Sequence, residues 1–541
     1  MPRTDLALAL CLAALTAASR IPFRARLLPS WDAIQFALAL REYDIAKHQP
    51  HPPGYILYVV AARVVNWLAA DAAATLAWLA VAASAVTVLL VYRLAWTLYG
   101  RPTAVLAAVG LATSPLFWFY GLIGLPYTAE AALATLVAAT VWRLRHGRPA
   151  DVVWSAVVLG VAGGVRQSVL LLLFPLWAGA LWVAFRRWRR VLAGLGVLAL
   201  TVAAWLVPMV WLAGGAPAYL EAVLDLFDST VRRTTVLADW HGNVFGLGES
   251  VLLGLGVLLP ALLAASVAGF LGLVRRDGRA WLFAGWIVPP VLVYTFVHFG
   301  QYGYLCTVLP ALYIGVARGL VRLGALVAPA DPPWRARVRW AVAAAAVGVA
   351  VTAHAAFFTR AASTEVPGLE AEPGTESLRT RLLAAYRFRL WPHTLQGLRE
   401  QEAVIRAYAR AVREGFDPGH TVLVTELGNR RSFPWFRHVM YYLPEYPVYH
   451  LRLGSFSRGY LASRHDETMA ALADPEVLLP TGARRLVWVV DHWNPAIPRP
   501  ATLRAVPVDY GRWLYVLELE RRVVEHGGYR LTPVTALARV R

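Results

Sequence analysis

Long apolar segments alternate with short polar intervals over the first 357 residues of the 541-residue chain. A membrane-spanning helix needs about 20 predominantly apolar residues, and somewhat shorter segments also span. About 11 segments satisfy this length criterion: 4–20, 74–97, 102–122, 125–142, 151–165, 168–185, 191–213, 250–273, 281–297, 304–323 and 338–357. The pattern predicts a polytopic α-helical membrane domain over residues 1–357.

Beyond residue 357 the pattern changes, and charged residues become frequent. Short runs at 421–426 (TVLVTE), 446–451 (YPVYHL) and 485–490 (RLVWVV) predict strands. Helical stretches such as 394–414 accompany them. Residues 358–541 are therefore predicted to form an α/β domain of ordinary size.

Composition supports a membrane protein and excludes a nucleic-acid-binding one. Hydrophobic residues make up 58% of the chain and charged residues only 16%, whereas a soluble domain is about a quarter charged. The formal net charge is +19, but the basic residues lie in short clusters between apolar segments, as the positive-inside rule requires. Cys11 and Cys306 both fall in apolar segments and predict neither a disulfide framework nor a metal site.

The orientation follows from the apolar stretch 54–70, which is short and interrupted by Arg63 and Asn66. If this stretch lies along the interface, every basic cluster between the later helices faces the cytoplasm. The positive-inside rule therefore predicts a juxtamembrane helix at 54–70, with a basic group at 20–26 as the exception. We expect a multi-pass protein of the inner or plasma membrane, with a retained first helix, a cytoplasmic N-terminus, a first outer loop at 20–73 and an extracytoplasmic C-terminal domain.

Asp32 is the first candidate for chemistry. It follows Pro29 and Ser30, which mark a helix start, and lies in the first turn of a predicted amphipathic helix. Gln35, three residues later, shares its face. An acid near a helix N-terminus commonly complements the helix dipole, and the alternative is a general base at the membrane surface.

A His-Pro-Pro-Gly corner, from His51 to Gly54, follows in the same loop. The two prolines fix φ and remove donors, and Gly54 permits a sharp turn. A turn needs no further function, which is the simpler interpretation of the prolines. His51 lies at the polar tip of the loop and is left open as a substrate-binding residue.

Two charged residues lie on the predicted outer side at the ends of apolar segments. Glu130, with Tyr127, opens the segment 125–142, and an acid at membrane depth is a functional hypothesis by default; helix capping is the competing explanation. Arg166, followed by Gln167, runs against the positive-inside rule and so requires an anionic partner. Glu130 and the phosphate of a lipid are equally good candidates for that partner.

The remaining polar candidates lie in two outer intervals, at 214–249 and 298–304. The first is long enough to be a lid or a lateral wall, and tyrosines of the second are commonly interfacial anchors. The candidates are Arg232, Arg233, His241, Gln301 and Tyr302. The sequence contains no Walker loop, zinc pattern or nucleophile elbow, so no metal site is predicted.

These features resemble those of integral-membrane C-type (GT-C) glycosyltransferases. The chain has WD at 31–32 before HPPGY at 51–55, SPLFWFYG at 114–121, and an acid that opens the next helix. This arrangement is similar to that of the protein O-mannosyltransferase-like branch, and the resemblance covers roughly residues 1–325. It implies a GT-C-like membrane fold with about 11 transmembrane helices and an enzyme of the outer face.

The resemblance also implies a polyprenyl-phosphate-linked sugar as donor. It assigns the catalytic base to Asp32 and the acid of the second outer loop, also expected to be catalytic, to Glu130. WDAIQF at 31–36 replaces the adjacent acidic pair of the familiar mannosyltransferases, and their β-trefoil insertion is missing from the sequence. The acceptor, whether glycan, lipid or protein, is therefore left open.

The hypothesis is an inverting sugar transfer in which Asp32 removes the proton from an acceptor hydroxyl. Arg166 is the first candidate to stabilise negative charge on the carrier phosphate. The next candidates for that role are Arg232, Arg233 and His241. The expected substrate-binding residues are Gln35, His51, Tyr127, Gln167, Gln301 and Tyr302.

Two other classes of function compete with this hypothesis. A lipid or glycan flippase would need ionisable residues near the bilayer midplane, whereas the ionisable residues here gather at one face. A non-catalytic envelope-assembly protein is the second alternative. No cofactor is predicted, and a divalent cation is left open without a motif for it; membrane lipids are the other expected partners.

Overall fold

The computed structural model describes the chain except for residues 186–187, 229–231, 233–234, 328–332, 364–376, 428–434, 453–458, 462–469, 473–475, 495–496, 521 and 535–541. The chain forms two compact units. The first unit comprises Met1–Leu27, Ala39–Ile45 and Pro52–Leu398. The second unit comprises Leu28–Leu38, Ala46–His51 and Arg399–Arg541.

The first unit is helical. Its helices are α1 (Arg3–Ala18), α3 (Ile56–Ala69), α4 (Ala72–Tyr99), α5 (Arg101–Thr113), α6 (Pro115–Tyr120), α7 (Tyr127–Leu144), α8 (Pro149–Val165), α9 (Gln167–Phe185), α10 (Trp188–Leu212), α11 (Ala216–Leu226), α12 (Val236–Leu255), α13 (Leu259–Val274), α14 (Gly278–Phe296), α15 (Leu309–Val327), α16 (Pro333–Arg360) and α17 (Leu378–Ala385). The helix α2 (Trp31–Arg41) begins in the second unit and ends in the first.

Several of these helices suit a membrane, which confirms the predicted polytopic helical class. Within the described part of the chain, α4, α9, α10, α14, α16 and the helical stretch Arg3–Phe23, which begins with α1, are long and apolar enough to cross a bilayer. Each of the other five predicted segments is also helical, but its helices are shorter or interrupted. The segment 102–122, for example, breaks at Ser114, whose hydroxyl accepts from the Phe117 amide and donates to the Gly254 carbonyl.

The predicted juxtamembrane stretch 54–70 is a helix, α3. Its 14 residues give a length of about 21 Å, less than the roughly 30 Å of a hydrocarbon core. One face packs in the unit, with Tyr58 and Ala62 buried, whereas Trp67 and Leu68 are largely exposed. The prediction of a helix is confirmed, and its position at the membrane surface stays a prediction.

Most of the second unit is an α/β domain. Its strands are β1 (Thr421–Leu427), β2 (Val448–Arg452), β3 (Gly459–Leu461), β4 (Ala470–Leu472), β5 (Glu476–Leu479), β6 (Arg485–Val489), β7 (Arg504–Val508), β8 (Arg512–Glu518), β9 (Val524–His526) and β10 (Tyr529–Pro533). Seven strands form one sheet in the order β4-β3-β2-β1-β6-β8-β7, and a three-stranded sheet has the order β5-β10-β9. Central β1 pairs in parallel with both β2 and β6.

Each face of the larger sheet is covered. The helix α18 (Leu395–Gly415) places Val404, Tyr408 and Val412 at helical spacing against one face. On the other face, Trp488 lies in a second core that includes Val477 of the small sheet. The three predicted strands and the predicted helix at 394–414 are confirmed as β1, β2, β6 and α18.

The structure divides the chain differently from the predicted boundary at 357/358. The indole of Trp31, at the start of α2, packs against the α18 face of the sheet, 6.1 Å from the ring of Phe436. The Tyr442 hydroxyl accepts a hydrogen bond from the Leu28 amide at 2.8 Å. These contacts place pieces of the loop predicted at 20–73 in the second unit.

Residues after 357 also join the first unit. His393 packs against the rings of Phe119 and Tyr302, each at a centroid distance of 4.8 Å. Contacts between residues so far apart in the chain cannot be read from composition, which is why the predicted boundary followed the loss of apolar character instead.

Candidate active site

The first unit buries an ion pair between Glu130 and Arg166. Glu130 lies in the first turn of α7, where its amide donates to the Pro126 carbonyl. Arg166 directly follows α8 in an extended conformation that turns the chain into α9. Its Nε lies 3.2 Å from Glu130 Oε2. The anionic partner that the sequence required for Arg166 is therefore Glu130.

The other carboxylate oxygen of Glu130 is also used. It accepts a hydrogen bond from the Thr307 hydroxyl, which in turn lies 2.8 Å from the Tyr294 hydroxyl. The Trp286 indole donates to the Thr307 carbonyl at 2.8 Å. This buried network fixes the carboxylate, so Glu130 is built to hold Arg166 in place.

Aromatic rings surround the guanidinium group of Arg166. Its Cζ lies 4.6 Å from the ring centre of Tyr127, 4.9 Å from that of Tyr304 and 5.9 Å from that of Tyr55. Its Nε donates to the Ser168 hydroxyl at 3.0 Å. Such ring contacts stabilise a desolvated cation.

The two terminal nitrogens of this guanidinium make no hydrogen bond within the described part of the chain. A guanidinium held by its Nε side presents these N–H groups as a planar fork, which suits two oxygens of a phosphate. Electrostatic contacts of this kind are stronger in a site that excludes water. Arg166 therefore has the chemistry of an anion-binding group.

Tyr127 and Gln301, both predicted as substrate-binding, are in contact: the Tyr127 hydroxyl donates to Gln301 Oε1 at 3.0 Å. Nearby, the pKa of His298 is lowered, first by burial and then by Arg166. Both effects favour the neutral imidazole, whereas the guanidinium of Arg166 is a permanent cation.

The His-Pro-Pro-Gly corner contributes through its backbone. Gln167 donates through Nε2 to the Pro53 carbonyl at 3.4 Å, and the Tyr219 hydroxyl donates to the same oxygen at 3.1 Å. Gly54 has φ +119°, and a Cβ there would meet Met209 Sδ at 2.7 Å. The glycine is therefore required by both conformation and space, as the sequence indicated.

Tyr302 lies beside this cluster in a second network. Its hydroxyl donates to Glu249, and burial and that hydrogen bond raise its pKa. Arg389 pairs with the same carboxylate at 3.2 Å. Tyr302 is therefore held by side chains of the first unit, which is more than an interfacial anchor would need.

Asp32, Gln35 and His51 lie in the second unit. Asp32 is in the first turn of α2, which Ser30 caps by accepting from the Ala33 amide at 3.1 Å. Its Oδ1 is 4.0 Å from Nδ1 of His51, whose ring packs edge-on against Phe36 at 5.6 Å. Gln35 is 1% exposed, on a buried face of the helix.

No contact among the described residues brings the predicted phosphate-binding residues of the 214–249 interval to Arg166 or to one another. Arg232 pairs at 3.5 Å with Asp228, four residues earlier, and both side chains are exposed. Arg233 lies outside the described residues. His241 lies within α12, but its side chain is outside the described part.

Four residues of the cluster were missed by the sequence analysis: Tyr55, Tyr294, Tyr304 and Thr307. Tyr55 is the last residue of the HPPGY motif, and that position was the available signal for it. Tyr304 belongs to the aromatic interval at 298–304. Thr307 and Tyr294 lie in apolar segments, and nothing in the local sequence marks them.

Among the described residues, no three His, Cys, Asp or Glu side chains group as they would around a metal ion. The divalent cation that the sequence left open has therefore not been assigned to any residues. The chemistry that the described side chains supply is that of a buried, rigidly held guanidinium and a partly exposed carboxylate–imidazole pair.

Comparison with known proteins agrees with the predicted class. Residues 42–191 match the family model "Protein O-mannosyl-transferase TMEM260 N-terminal domain". No curated protein is detectably similar in sequence.

Solved structures show the same fold. ArnT from Cupriavidus metallidurans bound to undecaprenyl phosphate superimposes with a TM-score of 0.54 and 14% identity over 94% of this chain and 97% of that one. The apo structure of the same protein superimposes with a TM-score of 0.54 and 15% identity, over 94% of this chain and 97% of that one. The archaeal oligosaccharyltransferase AglB from Archaeoglobus fulgidus, with an inhibitory peptide and a dolichol-phosphate, is more distant: a TM-score of 0.43 and 12% identity over 89% and 69% of the chains. The chain thus has the fold of the integral-membrane C-type glycosyltransferases, as its sequence predicted.

Proposed function

We propose that the protein is an inverting glycosyltransferase that moves a sugar from a polyprenyl-phosphate-linked donor to an acceptor hydroxyl on the outer face of the membrane. The observation that carries the proposal is the buried Arg166 guanidinium, held by Glu130 and three tyrosine rings. Its terminal nitrogens make no hydrogen bond to any residue that the structure describes. The family match over 42–191 and the fold shared with a protein that binds undecaprenyl phosphate support it.

In this proposal Arg166 binds the carrier phosphate. As the glycosidic bond breaks, negative charge grows on the leaving phosphate, and a cation fixed beforehand stabilises that charge without reorganisation. Glu130 keeps the guanidinium in place, and Tyr127 and Gln301 lie beside it. Gln167 and Tyr302 are proposed substrate-binding residues of the same unit.

Asp32 is the proposed base for the acceptor hydroxyl. The role rests on the resemblance of its loop and on its place at the start of α2, with His51 within 4.0 Å. Taking the proton as the oxygen attacks the anomeric carbon is the work of a general base. Gln35 and His51 are proposed acceptor-side residues, and Arg232, Arg233 and His241 remain secondary candidates for the phosphate.

The experiment separates donor binding from transfer. Donor binding is measured by titrating the purified full-length chain in nanodiscs with undecaprenyl phosphate. Transfer is measured as the release of undecaprenyl phosphate from undecaprenyl-phosphate mannose, with a membrane extract as the source of acceptors. Arg166→Gln is expected to weaken carrier binding about tenfold or more, as the loss of charged hydrogen bonds does. Asp32→Asn is expected to bind the carrier normally and to lose about two orders of magnitude in transfer rate.

The matched control is Arg145→Gln, an exposed arginine that lies over Trp142. It should leave carrier binding and transfer unchanged. Normal carrier binding by Arg166→Gln would remove this arginine from the phosphate site. Unchanged transfer by Asp32→Asn would remove Asp32 from the mechanism.

A further inference from the structure

A second basic site lies in the first unit, away from Glu130. A cavity of about 640 Å³ opens between α13, α14 and α15. Arg279, at the start of α14, lines it, whereas Tyr294 of the Glu130 network lies near the other end of the same helix. Fifteen residues of helical rise separate these two positions by about 22 Å. The cavity is thus distinct from the Arg166 site.

Positive charge dominates this cavity. Its lining contains four arginines and a single acid, Asp277. The arginines are Arg275, Arg279, Arg318 and Arg322. Asp277 is the N-cap of α14, and its carboxylate accepts from the Arg279 amide at 2.9 Å. Within the described part of the chain, none of the four guanidinium groups forms an ion pair with a carboxylate.

Two of these cations converge on one ring. The Cζ atoms of Arg318 and Arg279 lie 5.1 and 5.4 Å from the ring centre of Tyr99. The Nε of Arg318 is buried and has no hydrogen-bond partner among the described residues. Two guanidinium groups on one tyrosine repel each other, and a buried unpaired donor is costly. Both costs fall when an anion binds between them.

The rest of the cavity is apolar. Phe283 stacks on Tyr99 at 6.2 Å, and Ile287 and Val288 continue along α14 from this basic end. Leu271 of α13 and Leu312 of α15 face the same space. A basic mouth that leads into an apolar groove between helices matches a ligand with an anionic head and a hydrocarbon tail.

We propose that this cavity binds an anionic phospholipid. Its phosphate would lie between Arg279 and Arg318, and an acyl chain would follow Ile287 and Val288 along α14. The positive-inside orientation places these basic helix ends at the cytoplasmic leaflet, where anionic lipids bind basic pockets between helices. The lipid is a bound component of the bundle, and its site shares no residue with the proposed sugar-transfer site.

The test compares lipid retention. The full-length chain is reconstituted with equal amounts of phosphatidylglycerol and phosphatidylcholine, extracted in mild detergent, and its bound lipids are counted by native mass spectrometry. The wild type is expected to retain phosphatidylglycerol over phosphatidylcholine. The double variant Arg279→Gln/Arg318→Gln is expected to lose this preference by about tenfold, because each basic contact to an anionic headgroup contributes.

Two further variants identify the source of binding. Gly315 lines the cavity, and a Cβ added there meets only the Cβ of Ala265, at 3.8 Å. Gly315→Leu therefore fills the cavity and leaves all four arginines intact. This variant should expel the lipid. Arg145→Gln, a surface arginine elsewhere, should keep the preference. The proposal fails if either cavity variant retains phosphatidylglycerol as the wild type does. It also fails if inorganic phosphate at millimolar concentration displaces the bound lipid, because the cavity would then be a site for free anions.

Discussion

The Nε of Arg166 lies 3.2 Å from a carboxylate oxygen of Glu130, and the two side chains are 7% and 0% exposed. This pair explains two oddities of the sequence at once, an acid in an Ala-rich apolar segment and an arginine that stands apart from the basic clusters between the other apolar segments. Burying either charge alone would be very costly, so each residue requires the other. Among the described residues the contacts of Arg166 with Glu130 and Ser168 are made through Nε, so they leave its two terminal nitrogens for the proposed phosphate.

Breaking this pair should destabilise the bundle. Glu130→Gln leaves the guanidinium without its anion, and Arg166→Gln leaves a buried carboxylate, so each is expected to cost about 3–5 kcal/mol. The double variant leaves no uncompensated charge and should recover a large part of that loss. Denaturation in detergent, followed by tryptophan fluorescence for all four proteins, gives the coupling energy.

The matched pair for this cycle is Asp228–Arg232, which joins exposed side chains at 3.5 Å. Arg232→Gln should cost no more than about 0.5 kcal/mol, as is usual for exposed ion pairs. Equal losses at Arg166 and Arg232 would contradict the role given to burial.

Replacing Arg166 by lysine should separate charge from geometry. A lysine at position 166 retains the positive charge, but it lacks the planar fork and can reach either Glu130 or a phosphate, not both. We expect Arg166→Lys to be far more stable than Arg166→Gln and still to lose carrier binding. Titration with undecaprenyl phosphate checks this, and recovery of full binding in the lysine variant would mean that a point charge suffices.

A single methyl group should disturb the site through Tyr127. A Cβ on Gly303 would overlap the Tyr127 ring, which cannot retreat without moving off Arg166. Gly303→Ala is therefore expected to weaken carrier binding and lower the melting temperature. The control is Gly179→Ala in α9, where no atom lies within 4 Å of the added carbon; helix propensity predicts a neutral or slightly stabilising effect there.

The sequence was sufficient for the fold because long apolar segments and basic clusters follow from the bilayer itself. It also pointed to Glu130 and Arg166, since unexpected charges stand out against an apolar background. Thr307 could not be found in this way. A threonine in an apolar segment is unremarkable until packing of α7 against the turn before α15 brings it to the carboxylate.

The division into units was also beyond the sequence. Trp31 reads as part of a membrane loop, yet its ring packs beside Phe436 in the core that α18 forms with the larger sheet. Such contacts depend on shape complementarity between elements that are remote in the chain. The sequence therefore identified Asp32 as a candidate, but it did not show that Asp32 belongs to the second unit.

The last prediction concerns acid stability. Burial lowers the pKa of His393 to about 4, because protonation would place a charge among the rings of Phe119, Tyr120 and Tyr302. An unfolded chain protonates this imidazole near its ordinary pKa of about 6.5. Between these values the unfolded state binds the extra proton, so stability should fall as pH drops from about 6.5 towards 4, by up to about 1.4 kcal/mol per pH unit.

His393→Phe keeps an aromatic ring in this place and removes the titrating group. Its unfolding should therefore take up about one proton fewer than that of the wild type, so its free energy of unfolding should depend less steeply on pH. At neutral pH the variant should be less stable, because it loses the Nδ1 contact to the Arg389 carbonyl. His146→Phe, at an exposed site, should leave the slope unchanged. Denaturation midpoints measured from pH 7.5 to 4.5 decide the matter, and parallel curves for the wild type and His393→Phe would show that another group carries the acid sensitivity.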